Sequence, residues 1–137
     1  MLNQISVFLD NVPGVMEKFT SILMENNINI RALTVAETAD FGILRMLVDK
    51  EEKCIEILRK QNYLVSETEV IAVKIPDKPG ALHKISKVLA EEEINIEYIY
   101  STLVKNEAII ILRVDDNKTA VKALKNDDIK VIDKQTI

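Results

Sequence analysis

A repeat with a constant offset constrains this chain more than any other feature. Asn11-Val12-Pro13-Gly14 returns as Asp77-Lys78-Pro79-Gly80, and Ile28-Asn29-Ile30 returns as Ile94-Asn95-Ile96, each 66 residues on. Between Gln4 and Ser66, fifteen positions are identical to their counterparts at that offset, with no gap. Random pairing gives about four, so the sequence holds two copies of one unit. In 137 residues this means two modules, expected at residues 1–68 and 69–137. Domains of that size bury only about 60% of their unfolded surface. Each is expected to complete its core against the other module or a second chain.

The hydrophobic period gives the elements of each copy. Ile5, Val7 and Leu9 alternate with polar or outward positions, which predicts a strand from Gln4 to Asp10. Pro13-Gly14 breaks it, because proline cannot donate to a ladder and glycine reaches backbone angles barred to other residues. Met16, Phe19, Ile22 and Leu23 form one apolar stripe, predicting a helix from Val15 to Asn26 that stops at Asn26-Asn27. Strands follow at Ile30 to Glu37 and Ile43 to Val48, separated by a turn at Ala39-Asp40. Asp49 is expected to cap a helix from Glu51 to Gln61, with Cys54, Ile55 and Leu58 inward. A fourth strand runs from Leu64 to Glu69 and meets the next, Val70 to Ile75, with no glycine or proline between them.

The second copy repeats the order. Leu82, Ile85, Val88 and Leu89 make its first helix stripe, strands are expected at Ile96 to Thr102 and Ala108 to Val114, Asp115 or Asp116 caps the last helix, and Lys130 to Lys134 closes the unit. The fold class is therefore α+β: two tandem ferredoxin-like βαββαβ modules, each an antiparallel sheet with both helices on one face. The opposite face would hold Ser6, Phe8, Ala72 and Lys74, with either Ile43 and Leu47 or Leu44 and Met46. A partly apolar open face suggests packing against another sheet, and hence a homodimer.

Charge and composition narrow the function. A net charge of −4 with no concentrated basic face argues against nucleic acid, and 4% aromatics without tryptophan argue against base stacking. A single cysteine excludes an internal disulfide and a multi-thiolate metal site. No secretory leader is legible, and no apolar run approaches the roughly 20 residues of a membrane span. The expectation is a cytoplasmic protein with no membrane association, metal or cofactor. His83, the one histidine, lacks a nearby nucleophile in the repeat geometry, and Gly14, Gly42 and Gly80 do not make a phosphate loop, so no enzyme is expected.

Strand, N/D-x-P-G, amphipathic helix and I-N-I, all repeated, resemble the ACT domain, a small regulatory module that binds amino acids. The resemblance covers essentially the whole chain, twice. It is nearest to free-standing tandem ACT proteins, which Ala39-Asp40-Phe41-Gly42-Ile43-Leu44-Arg45 and Ile96-Glu97-Tyr98-Ile99-Tyr100-Ser101 also resemble. The resemblance implies a ligand between modules, near the strand-to-helix loop of one and the second strand of its neighbour. Carried over, the site residues are Asn11, Val12, Pro13, Gly14 and Val15 with Asn29, and Asp77, Lys78, Pro79, Gly80, Ala81 and Leu82 with Asn95. Glycine would let a ligand approach the backbone, the helix N-terminus would attract a carboxylate, and Asp or Asn would accept from an ammonium group. No basic side chain is required. The Asp77 loop suits the amine end better than the Asn11 loop.

Plainer readings stand beside these. Pro-Gly is a structural turn in most proteins, and Asn29 and Asn95 can serve only to close the loop before the second strand. Tyr98 and Tyr100 share one strand face, for packing or for lining a ligand. Phe41-Gly42 reads as a turn with one buried aromatic, placed where it can line a pocket. His83 reads as exposed, Cys54 as a small core residue, and Glu91-Glu92-Glu93 as a solvated helix end. The implied function is a regulatory protein that binds a free amino acid at the interface between ACT modules. The alternative is a ligand-free interaction or dimerisation subunit that regulates an amino-acid-metabolising enzyme partner.

Overall fold

The computed structural model describes residues 1–134. The elements run β1 (Leu2–Asp10), α1 (Val15–Glu25), β2 (Ile30–Glu37), β3 (Phe41–Val48), α2 (Glu51–Lys60), β4 (Val65–Pro76), α3 (Ala81–Glu91), β5 (Ile96–Val104), β6 (Glu107–Val114), α4 (Asn117–Asn126) and β7 (Lys130–Ile132). The chain divides into two compact units, Asn3–Thr68 and Glu69–Ile137, the latter joined by Met1–Leu2. The final residues, 135–137, of the expected second module lie outside the described ones. Strand β4 is longer than either strand expected there, because Val65 to Pro76 contains no breaker before its final proline.

The N-terminal unit orders its strands β2-β3-β1-β4, and the C-terminal unit β5-β6-β4-β7. All pairings with a defined register are antiparallel, as in Val7 opposite Leu44 and Val73 opposite Ile110. Each unit is the ferredoxin-like βαββαβ arrangement. Alternation puts Ile5, Val7, Leu9, Leu44, Met46 and Val48 on one face, where Phe19 and Leu23 of α1 and Cys54, Ile55 and Leu58 of α2 cover them. The second unit does the same with Ile71, Val73, Ile75, Ile110 and Leu112 under Ile85, Leu89, Ala120 and Leu124. Each buried Val, Leu, Ile, Phe or Met among them stabilises by roughly 1.5–3 kcal/mol. The ambiguity in the third strand is thereby resolved: Ile43, Arg45 and Leu47 share the face away from the helices with Ser6 and Phe8.

Every helix ends the same way. The residue two past the C-cap donates back to the turn before it, at Ile28 to Leu23, Tyr63 to Leu58, Ile94 to Leu89 and Ile129 to Leu124, all 2.9–3.0 Å. Such a stop needs a left-handed residue just after the cap. Asn27, Asn62, Glu93 and Asp128 supply it, with φ between 56° and 67°. Asn27 is therefore the stop its sequence predicts. Glu93 occupies the equivalent place against its preference, which gives the Glu91-Glu92-Glu93 run a structural setting.

Two expectations fail here. Leu82 is not part of the α3 stripe: it is 45% exposed, and Ala81, one residue earlier, packs against the core instead. Phe41 is not buried, and it belongs to the turn only as its last residue. It is the first residue of β3, paired with Asp10, because Thr38 and Phe41 close a tight turn by a 2.7 Å backbone bond and let the ladder begin at once. Its ring lies 5.9 Å from that of Phe8 on the open face and is 39% exposed.

Candidate functional site

The two Pro-Gly loops have nearly one backbone. Gly14 and Gly80 are the N-caps of α1 and α3, with φ of 86° and 91°. That region disfavours any residue with a Cβ. A Cβ added at either glycine would meet nothing within 4 Å, so the requirement is conformational rather than steric. No side chain caps either helix. The Val15 and Ala81 N–H groups donate to the Val12 and Lys78 carbonyls at 3.5 and 3.3 Å, the first-turn amides after them have no side-chain acceptor, and the helix end carries partial positive charge. By contrast, α4 is capped by Asp116, whose carboxylate accepts from the Thr119 N–H at 3.1 Å.

Beside each loop lies a cleft. In the N-terminal unit it encloses about 570 Å³ between Pro13-Gly14-Val15, the end of β1 at Phe8 to Asp10, and Asn62, Tyr63 and Leu64. In the C-terminal unit it encloses about 450 Å³ between Pro79-Gly80-Ala81, the end of β4 at Lys74 to Pro76, and Asp128, Ile129 and Lys130. Val12 and Lys18 line the first, and Lys78 and Lys84 the second. The expected residues Val12 to Val15 and Lys78 to Ala81 are brought together in this way. Asn11, Asn29, Asp77, Leu82, Asn95, Phe41, Tyr98 and Tyr100 do not line either cleft. Missed by the sequence reading were the strand ends and the loops at residues 62–64 and 128–130. Their 66-residue correspondence was the signal that would have found them.

Asn11 is tied to the β2–β3 turn, its side-chain amide donating at 3.4 Å to the Glu37 carboxylate and to the Thr38 carbonyl. Asn29 and Asn95 are held by a matched clamp. The Asn29 N–H donates to Asp49 Oδ1 at 2.9 Å while the Asp49 N–H returns to the Asn29 carbonyl at 3.2 Å. Asn95 and Asp115 repeat this at 3.1 and 3.3 Å. This overturns Asp49 as a helix cap. The N-cap of α2 is Lys50, without a side-chain bond, because the Asp49 carboxylate is already engaged by the strand entrance. That bond holds the Asp49 carboxyl below its ordinary range. Of the two cap candidates for α4, Asp116 caps and Asp115 clamps.

Tyr98 and Tyr100 are half-buried opposite Arg113 and Ile111, on the face away from the helices. Cys54 is fully buried on the inner face of α2, and burial together with the Asp49 charge pushes its thiol up to about 11. His83 is exposed. Among the described residues no helix is long and apolar enough to cross a membrane.

Two ferredoxin-like βαββαβ modules in tandem, each with a helix that has no side-chain cap behind a left-handed glycine, define the class of protein. The sequence matches the family described as an ACT domain pair over residues 1–137, and the chain belongs to that family. Among solved structures it is similar to a Bacteroides thetaiotaomicron protein, with 35% identity, 96% of this chain and 91% of that one covered, and a TM-score of 0.92. The regulatory subunit of aspartate kinase from Thermus thermophilus shares the fold at 18% identity, with 90% and 91% covered and a TM-score of 0.68. Aspartate kinase from Clostridium acetobutylicum shares it at 21% identity over 90% of this chain and 32% of that one, with a TM-score of 0.56. No curated protein matches the chain.

Proposed function

We propose that this protein is a regulatory sensor that binds a free amino acid at its Pro-Gly loops. The observation that carries the reading is the pair of N-caps, Gly14 and Gly80, each leaving a helix without a side-chain cap beside an open cleft of about 450 to 570 Å³. A carboxylate placed there would accept from first-turn amides and meet the positive end of the helix. Membership of the ACT domain pair family supports the same reading. Binding would favour one conformation by its differential affinity for it and by no more. A thermal-shift screen against the twenty common amino acids tests this. A ligand at about 100 times its dissociation constant stabilises by roughly 2.7 kcal/mol, a shift of several degrees for a protein this small. Uniform silence across the screen contradicts the reading.

A second reading makes the chain an interaction subunit of an amino-acid-metabolising enzyme. Edge strands β2 and β5 favour it, because Leu33, Val35, Ile99 and Leu103 are exposed there. Apolar side chains on an open edge invite a partner. An enzyme that co-purifies with the chain and changes its output without added amino acid would support this reading; failure to capture any enzyme would count against it.

A further inference from the structure

We infer that one end of the open sheet face of the N-terminal module is a docking surface for a partner protein's amphipathic helix with a basic rim. Leu64, Phe8, Ile43 and Ala36 form a row across the four strands of this module. The Phe8 N–H donates to the Leu64 carbonyl at 3.2 Å, Phe8 pairs with Ile43, and Ile43 pairs with Ala36. The row lies on the face away from the helices. Phe41, one place further out, pairs with Asp10, and its ring is 5.9 Å from that of Phe8. Leu64 is 69% exposed, Phe8 40% and Phe41 39%. Large apolar side chains left in water side by side mark an interaction surface.

The sheet does not require an apolar row there. The C-terminal module fills the same places with Lys130, Lys74, Ile109 and Thr102, and has Glu107 where the first has Phe41. Lys74 and Glu107 pair at 3.1 Å, and Ile109 is buried. One backbone therefore carries a charged row in one module and an exposed apolar row in the other. Size and charge select the occupant. Four strands span three gaps of ~4.8 Å, about 14 Å in all, the length of roughly ten helical residues. A helix laid across the strands can therefore set an apolar stripe along the whole row. The two turns beyond the row, residues 10–14 and 37–42, hold Asp10, Glu37 and Asp40 and no lysine or arginine. Arg45 lies on the inner side of the row, half-buried opposite Ser6. The outer rim is thus acidic, and the complement is lysine or arginine along the edge of the helix. Two copies of this chain docked through the same surface would bring acidic turns together, which disfavours self-pairing.

The probe is a fluorescent peptide of about 14 residues built of leucine and lysine, with its leucines on one helical face. Its controls are the same peptide with glutamate in place of lysine, and a scrambled leucine–lysine peptide. Anisotropy is recorded as the full chain is added, for the native sequence and for two variants. Phe8→Thr, Leu64→Thr removes the apolar row without adding charge, using a residue suited to strands. Asp10→Asn, Asp40→Asn removes the rim and keeps the row. The expected result is saturable binding of the leucine–lysine peptide, weakened about tenfold or more in the threonine variant. The asparagine variant should bind severalfold more weakly and with less dependence on salt. No saturable binding, or unchanged affinity in either variant, overturns the proposal. Equal binding of the scrambled or the glutamate peptide does the same. A native chain that self-associates in sedimentation and becomes monomeric in the threonine variant gives the surface to a second copy, and also overturns it.

Discussion

The N-terminal and C-terminal modules agree where the backbone is demanding and differ where it is permissive. Both have a left-handed glycine before the first helix, a left-handed residue after every helix, and an aspartate clamping the asparagine before the second strand. Their clefts, built from corresponding positions, have Val12 in the loop of one and Lys78 in the loop of the other, beside the shared pair Lys18 and Lys84. Side chains lining an open cleft are free to change because no core depends on them. The lesson is that the repeat defines a scaffold twice and a ligand chemistry at most once.

The comparison can be broken first at the glycines. Gly14→Ala and Gly80→Ala should each cost about 1–2 kcal/mol, since an alanine is forced left-handed with nothing for its methyl to touch. Urea denaturation of the two variants checks this. Equal costs support one shared backbone; a large inequality would mean that one loop relaxes and the modules are not equivalent there.

The helix stops sharpen it. Glu93 and Asn27 hold equivalent left-handed places, but that conformation costs glutamate more than asparagine. Glu93→Gly should stabilise by about 1 kcal/mol and Asn27→Gly by less. Thermal unfolding that ranks them the other way would show that a contact of Glu93, rather than its backbone, sets the balance.

Acid gives the smallest effect. The Asp49 and Asp116 carboxyls are both held below the ordinary value of 3.8, by the Asn29 N–H and by Thr119 respectively. Groups depressed on folding contribute stability above their unfolded value, and that contribution is lost as pH falls through the folded one. Stability should therefore be level from neutral pH down to about 5 and decline below about 4. Asp49→Asn should lower the plateau slightly and flatten the decline. An unchanged acid limb would mean that the clamp is energetically silent.

Most of the scaffold is legible in the sequence because it rests on local rules and on one repeat. Alternation in Ile5, Val7 and Leu9, the Pro-Gly break and the Asn27 stop each act within a few residues. What was not legible depended on distant partners. Asp49 reads as a cap until Asn29, twenty residues earlier in the chain, takes its carboxylate. Phe41 reads as buried until the ladder with β1 carries it to the open face beside Phe8. Leu82 was placed by helical period alone, which does not register where the core under a first turn stops.

The most direct test of the sensor reading is to record amide resonances of the full chain while each common amino acid is added at millimolar concentration. The account predicts that at least one moves resonances around Gly14 or Gly80 and the first turn of the helix behind it, saturably. No saturable change with any amino acid, or changes confined to residues away from both loops, would contradict it.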